Sequence, residues 1–185
     1  MIISGLPRSG TAMMMQMLEA GGMRVVTDRM RKPDEKNPIG YYEYEKVKRL
    51  GEDASWLDAC KGKALKVISA LLYHLPGDRH YKVIFMERKL GEILASQEAM
   101  LESLGRKMAV QDDQKMADEF QEHLHRIKDW LARQRNMETI YVNYGETIRK
   151  PVETAKRVVE FIGERLEVDK MASAVRESLY RQRKP

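Results

Sequence analysis

Cysteine is nearly missing from this chain of 185 residues, which has Cys60 and no other. A single cysteine excludes an internal disulfide framework and a multi-cysteine metal site, and it favours a reducing, cytoplasmic setting. No apolar run approaches the ~20 residues that span a bilayer, so we expect a soluble protein that does not use a membrane. Internal repeats and low-complexity tracts are also absent, which excludes repeat architectures.

The size and charge of the chain limit the number of domains and the kinds of partner that we expect. Apolar residues make up 43% of the sequence, which suffices for one packed core but not for two, so residues 1–185 are expected to form a single domain. The 33 basic and 28 acidic residues leave a formal charge of +5, a modest excess that suits an ordinary solvated surface. We therefore predict no nucleic-acid partner, and the sequence leaves the oligomeric state open.

Short β-branched runs alternate with helical patterns along the chain, which is the usual signal for βαβ units and a mainly parallel sheet. The predicted strands cover about residues 1–4, 24–27, 64–69, 82–87 and 139–143. This alternation predicts an α/β fold with three layers, in which a central, mainly parallel sheet of about five strands is flanked by helices.

Glycine and proline mark the ends of two predicted helices. The first begins near Gly10 and ends at residues 21–22, and its methionine run at 13–15 is expected to pack in the core rather than bind a metal. Pro151 and Gly163 bound a second amphipathic helix. A separate apolar stripe predicts a helix directly after the fourth strand.

A long helix is predicted over residues 112–135, where apolar side chains recur at steps of four and three. His123 and His125 are two positions apart on it, so they point to different faces and are expected at the surface rather than at a metal. Residues 28–40 contain prolines and several charges without periodicity, which predicts a long loop over the strand ends. Such loops commonly help to build a functional site.

Residues 5–11, with the sequence Gly-Leu-Pro-Arg-Ser-Gly-Thr, join the first predicted strand to the first predicted helix. Backbone N–H groups and the helix dipole can converge on phosphate oxygens at such a junction, and its glycines allow close approach. A Walker A loop would have lysine where this chain has Thr11. The fourth strand ends in Glu87 and Arg88 rather than in a magnesium-binding aspartate. The loop therefore predicts anion binding and disfavours a standard ATPase or kinase.

The same loop resembles the 5′-phosphosulfate loop of the sulfotransferase superfamily, whose members carry PKSGT or PRSGT in place of a Walker lysine. Three later segments are similar to that family: residues 64–67, residues 81–96 and residues 144–163. The resemblance implies a P-loop-NTPase-like fold. It also implies an enzyme that moves a sulfuryl group from 3′-phosphoadenosine 5′-phosphosulfate, its co-substrate, to a hydroxyl or amine of a small-molecule or carbohydrate-like acceptor.

Catalytic roles follow from this resemblance for three residues. Arg8 would lie beside the bridging oxygen of the donor, and Lys66 would help to neutralise the charge on the leaving phosphate. Glu43 is the candidate base for the acceptor hydroxyl, and Glu45 is its rival. A 5′-phosphate can leave without a metal under these conditions, so we predict that no metal takes part.

A donor site is implied by the same resemblance. Arg88 and Ser96 would bind the 3′-phosphate, and Tyr144 would lie near the adenine. The complete predicted donor site comprises Pro7, Arg8, Ser9, Gly10, Thr11, Arg88, Ser96 and Tyr144.

The sequence also departs from the family. Cytosolic members have a catalytic histidine where this chain has Ile68, and the family's basic C-terminal loop over the 3′-phosphate is missing, although Arg181, Arg183 and Lys184 could replace it. These departures leave two alternatives to an enzyme of this class. One is a nucleotide-binding module of the same fold without catalysis, and the other is an atypical P-loop nucleotide kinase or NTPase.

Overall fold

Five parallel strands form the central sheet of the computed structural model, which describes residues 1–30, 40–103, 105 and 110–176. The strands are β1 (Ile2–Gly5), β2 (Val25–Val26), β3 (Ala64–Lys66), β4 (Tyr81–Glu87) and β5 (Met137–Asn143). Their spatial order is β2-β3-β1-β4-β5, and every neighbouring pair is parallel. The predicted strands and the predicted parallel sheet are confirmed.

The residues that the structure describes include six α-helices, which lie between the strands or after the last of them. They are α1 (Thr11–Ala20), α2 (Leu90–Ser103), α3 (Val110–Arg133), α4 (Tyr144–Arg149), α5 (Pro151–Ile162) and α6 (Val168–Ser173). Short 3-10 helices cover Glu45–Arg49, Ser55–Cys60 and Ser69–His74. The predictions for α1, α2, α3 and α5 are confirmed, whereas α4, α6 and the 3-10 helices were not predicted. Within the described ranges no helix is long and apolar enough to cross a membrane.

Neighbouring residues of each strand face opposite layers, because side chains alternate along a strand. Ile2 of β1 belongs to a core cluster with Ile127 of α3, and Ile3 belongs to a second cluster with Met17 of α1 and Val158 of α5. Helices therefore cover both faces of the sheet, and the predicted three-layer α/β architecture is confirmed.

The position of β1 in the sheet determines where a ligand can bind. β1 lies between β3 and β4. The chain that leaves β1 runs to β2 on one side of it, and the chain that leaves β3 runs to β4 on the other side, so the two connections diverge. Ligands of open parallel sheets bind at such a switch point, outside the carboxyl ends of the strands. Lys66 ends β3, Arg88 follows β4 and Tyr144 follows β5, so all three lie at this edge with the loop that follows β1.

Candidate functional site

The loop between β1 and α1 begins with a tight turn. The Ser9 N–H donates to the Leu6 carbonyl oxygen at 3.1 Å and thereby encloses Pro7 and Arg8. Proline suits the second position of a type II turn, and the third position needs a positive φ, which here is 68° at Arg8. Glycine normally occupies that third position. Arg8 therefore has a strained backbone, at a cost of about 1–3 kcal/mol, of the kind that clusters at functional sites.

Two glycines let this loop approach its neighbours closely. Gly5 has a φ of 145°, and a Cβ built there would lie 2.6 Å from the carbonyl oxygen of Met86. Gly10 has a φ of 102°, and a Cβ built there would overlap the ring of Tyr144. Both positions therefore require glycine for conformation and for space.

The Ser9 side chain supports the predicted anion site. Its residue is 1% exposed, and its Oγ has no hydrogen-bond partner among the described residues. A buried hydroxyl without a partner is costly, so it calls for a functional explanation. Because the Ser9 N–H is engaged in the turn, the N–H groups of Gly10 and Thr11, at the start of α1, are the loop amides that suit a phosphate. The loop thus has features that suit an anion, and the binding of phosphosulfate there stays a prediction.

Arg88 lies beside the loop with its side chain only 7% exposed. Its Nη1 donates to the Arg8 carbonyl oxygen at 3.1 Å, and its Nε donates to Glu92 Oε2 at 2.9 Å. The guanidinium carbon lies 4.3 Å from the centroid of the Tyr144 ring, within cation–π range. Glu92 is 3% exposed, so Arg88 and Glu92 form a buried ion pair.

Ser96 reaches the same loop from α2. The Arg8 Nε donates to Ser96 Oγ at 3.0 Å, and Ser96 is 5% exposed. The structure therefore brings four predicted donor-site residues together around the loop: Arg8, Arg88, Ser96 and Tyr144. Tyr144 is 6% exposed and burial raises its pKa, so its phenol stays neutral near physiological pH. The binding roles of these residues remain predictions.

Glu43 and Lys66, two of the predicted catalytic residues, lie next to each other. Lys66 Nζ donates to the Tyr41 carbonyl oxygen at 2.6 Å and lies 3.8 Å from Glu43 Oε1. The Glu43 side chain is 35% exposed, so its carboxylate is open to solvent beside the ammonium group. Glu45, the rival base, is 59% exposed and pairs with Lys48 at 2.8 Å. Glu43 is therefore the better placed of the two carboxylates.

The chain on either side of Glu43 is held in place by its neighbours. The Glu43 carbonyl oxygen accepts from Thr27 Oγ1 at 3.0 Å and from the Asp28 N–H at 3.2 Å. Tyr42 has a φ of 53°, and its hydroxyl donates to the carboxylate of Glu19 on α1. Burial raises the pKa of Tyr42, which keeps that hydroxyl a donor. Sequence reasoning missed Tyr42 and Glu19, because no local pattern relates two residues so far apart.

His123 was predicted at the surface, and this prediction is wrong. His123 is half-buried, and its Nε2 lies 2.8 Å from the Oγ of Ser69, in the 3-10 helix after β3. That 3-10 helix packs against α3 and covers this side of it, which the periodicity of α3 could not reveal. Burial, with a smaller contribution from Arg126, lowers the pKa of His123. His125 is 78% exposed, as predicted.

This environment of His123 makes stability depend on pH. Above the unfolded pKa of about 6.5 the imidazole is neutral in both states and contributes nothing. Below it the unfolded chain takes up the proton more readily than the folded chain, so stability should fall as the pH falls and level off below the lowered folded pKa. His123→Gln should flatten this decline in urea unfolding measured from about pH 5 to 8. His125→Gln is the matched control, and equal slopes for wild type and His123→Gln would contradict the assignment.

Several predicted features lie elsewhere or cannot be placed. Ile68 is 38% exposed, two residues beyond Lys66. Residues 31–39 of the predicted loop and the basic positions Arg181, Arg183 and Lys184 lie outside the described residues. In the described part of the chain no group of three or more His, Cys, Asp or Glu residues could hold a metal ion, and the absence of a metal from the reaction stays a prediction.

Known proteins show a related fold. The mouse sulfotransferase SULT7A1, solved in complex with PAP, matches with a TM-score of 0.58 and 14% identity over 96% of this chain and 63% of that chain. The sulfotransferase domain from the curacin biosynthetic pathway matches with a TM-score of 0.54 and 13% identity over 96% of this chain and 78% of that chain. At such identities these similarities concern the fold alone.

Evidence for family membership comes from a match to a family model. No curated protein matches the sequence, and this chain spans only 63% of the length of the mouse protein. The model of the sulfotransferase domain, however, matches residues 1–184, which is nearly the whole chain. The chain therefore belongs to the sulfotransferase domain family.

Proposed function

We propose that this protein transfers a sulfuryl group from 3′-phosphoadenosine 5′-phosphosulfate to a hydroxyl or amine of a small-molecule or carbohydrate-like acceptor. One observation carries the proposal. Arg88 and Ser96, which are 80 and 88 positions from Arg8 in sequence, both form hydrogen bonds with Arg8 at the carboxyl edge of the sheet. This is the arrangement expected if one bound molecule carries phosphate at two places.

The donor is held chiefly by the loop and its surroundings in this proposal. The N–H groups of Gly10 and Thr11 and the dipole of α1 face the 5′-phosphosulfate, and Ser9 Oγ supplies a further polar contact. Arg88 and Ser96 bind the 3′-phosphate. Tyr144 packs against Gly10 and Arg88, so it shapes the wall between these two regions.

The acceptor side of the site performs the proton transfer. When bound, the donor supplies an activated sulfuryl group, whose S–O bond to the 5′-phosphate breaks as an acceptor oxygen or nitrogen attacks. Glu43 takes the proton from the attacking group. Arg8 and Lys66 place positive charge where negative charge develops on the leaving oxygen. Lys66 also orients Glu43, because its ammonium group lies 3.8 Å from the carboxylate.

The first test is calorimetric titration with 3′-phosphoadenosine 5′-phosphate in the presence of a chelator. Wild type should bind without a metal, and Arg8→Ala should weaken binding roughly 10- to 100-fold, because a hydrogen bond to a charged group contributes about 1.5–3 kcal/mol. Arg79→Ala is the matched control. Arg79 precedes β4 at the opposite edge of the sheet and pairs with Asp58, so its loss should leave the affinity unchanged.

Two other outcomes would replace the proposal. Magnesium-dependent binding of ATP in preference to 3′-phosphoadenosine 5′-phosphate would favour an atypical P-loop nucleotide kinase or NTPase. Metal-free binding without transfer to any acceptor would favour a nucleotide-binding module that has lost catalysis. Ile68, exposed where cytosolic members have a histidine, is the residue that makes the second outcome worth testing.

A further inference from the structure

Arg8 forms hydrogen bonds with both residues of the predicted 3′-phosphate site and itself belongs to the loop predicted to bind the 5′-phosphate. Arg88 donates to the backbone carbonyl oxygen of Arg8, and the side chain of Arg8 donates to Ser96 Oγ. We propose that Arg88, oriented by Glu92, is a positioning residue for the phosphate loop and thereby controls binding at the 5′-phosphate as well as at the 3′-phosphate. This inference rests on the proposed donor site.

One peptide group connects Arg88 to the turn of the phosphate loop. The carbonyl of Arg8 and the N–H of Ser9 belong to the same peptide group, which is planar. Arg88 binds this group at its oxygen, and the Leu6 carbonyl binds it at its N–H. The two bonds fix the plane at both ends. They therefore hold the left-handed backbone of Arg8, and with it the direction in which Gly10 and α1 continue.

Glu92, four positions beyond Arg88, is the acidic partner of Arg88. Glu92 accepts from Arg88 Nε at 2.9 Å, and both side chains are almost completely buried. Burying such a pair costs desolvation energy that offsets most of its attraction, so stability alone does not explain it. The effect of the pair on the orientation of the Arg88 guanidinium group explains it instead. With Nε engaged by Glu92 and one face against Tyr144, the guanidinium group directs Nη1 to the Arg8 carbonyl oxygen.

A positioning role and a purely electrostatic role of Glu92 predict opposite effects on ligand binding. Glu92 brings negative charge close to the predicted 3′-phosphate region, so charge alone predicts that Glu92→Gln should tighten the binding of every phosphate ligand. Loss of positioning predicts the opposite result. Glu92→Gln would release Arg88 from its orientation, weaken its bond to the Arg8 carbonyl and loosen the loop. The sign of the change therefore decides between the two explanations.

The experiment uses three ligands that differ only in their phosphates: 5′-AMP, 3′-AMP and 3′-phosphoadenosine 5′-phosphate. Affinities are measured by calorimetry or by competition on the full chain. Arg88→Lys and Glu92→Gln should each weaken 5′-AMP roughly 5- to 20-fold, although 5′-AMP has no 3′-phosphate for Arg88 to bind. Glu98→Gln, an exposed position on the same helix, is the matched control and should change nothing.

A second variant and a second measurement distinguish a loss of positioning from a loss of folding. Ser96→Ala removes the partner of the Arg8 side chain without leaving a buried charge unpaired, and it should also weaken 5′-AMP, by roughly 3- to 10-fold. Amide hydrogen exchange at Ser9, measured without ligand, should be faster in Arg88→Lys and Glu92→Gln than in wild type. Unfolding curves confirm that each variant is folded.

Losses confined to 3′-AMP and 3′-phosphoadenosine 5′-phosphate, with 5′-AMP unchanged, would overturn the inference and leave Arg88 a plain 3′-phosphate ligand. Tighter binding by Glu92→Gln would overturn it as well. In both cases wild type still binds 3′-phosphoadenosine 5′-phosphate, so the proposed function survives. Failure of wild type to bind that ligand at all would instead remove the proposed function.

Discussion

Replacing Glu43 with glutamine should lower the rate of sulfuryl transfer by about 10²- to 10⁴-fold, the contribution typical of a general base, and should leave nucleotide affinity unchanged. Glutamine keeps the shape of the side chain but cannot accept the proton of the attacking hydroxyl or amine. The local structure should survive, because Lys66 retains its bond to the Tyr41 carbonyl and the Glu43 carbonyl retains its bonds from Thr27 and Asp28. Initial rates at saturating donor, on a panel of hydroxyl and amine acceptors, measure the effect.

Glu45→Gln is the matched control for this experiment. Glu45 is two positions away, carries the same charge and pairs with Lys48 at the surface, so its substitution should leave the rate unchanged. If Glu45→Gln lost activity and Glu43→Gln kept it, Glu45 would be the base. If both variants kept the wild-type rate, the base would have to be a residue other than Glu43 and Glu45.

Gly5→Ala should reduce the free energy of unfolding by about 2–6 kcal/mol, since two independent penalties add. The first is a φ of 145°, which only glycine adopts readily. The second is contact, because the new Cβ would lie 2.6 Å from the carbonyl oxygen of Met86, in the neighbouring strand β4. Backbone atoms of paired strands cannot move aside as a flexible side chain can. Urea or guanidinium unfolding at equilibrium measures the loss.

Gly22→Ala separates the two penalties. Gly22 has a φ of 100°, but a Cβ there would meet nothing within 4 Å, so this variant should show the conformational cost alone, about 1–3 kcal/mol. The difference between the two variants measures the contacts of the new Cβ with the Met86 carbonyl oxygen and with Ser9 Oγ, which would lie still closer. Equal losses would mean that both contacts relax freely and that conformation alone requires glycine at position 5.

Local signals predicted most of the fold. Strand positions followed from β-branched runs, and the bounds of α5 followed from Pro151 and Gly163, because a proline at a helix start and a left-handed glycine at its end act within a few residues. The six residues of α4 are too few to show a helical period. Its signal was a cap instead: the side chain of Asn143 accepts from the Glu146 N–H at 2.9 Å.

The candidate site was predictable as a set of residues but not as a network. The loop at residues 5–11 has a sequence signature because Gly5, Pro7 and Gly10 meet local demands for conformation or space. Nothing local indicates that Arg88 donates to the Arg8 carbonyl or that Ser69 faces His123. Those contacts depend on how α2 and α3 pack, and packing between elements distant in sequence leaves no periodic trace.

The central position of β1 also bears on how the chain reaches its folded state. Ile2 pairs with Leu65 on one side and with Val83 on the other, so β1 gains both of its neighbours only through residues far away in sequence. Contacts of such long sequence separation demand large loop-closure entropy and slow the search for the native topology. The bond from Arg88 to the Arg8 carbonyl spans a similar interval. The loop can therefore take its final shape only when β3 and β4 have paired with β1, so competence to bind an anion depends on contacts of long sequence separation.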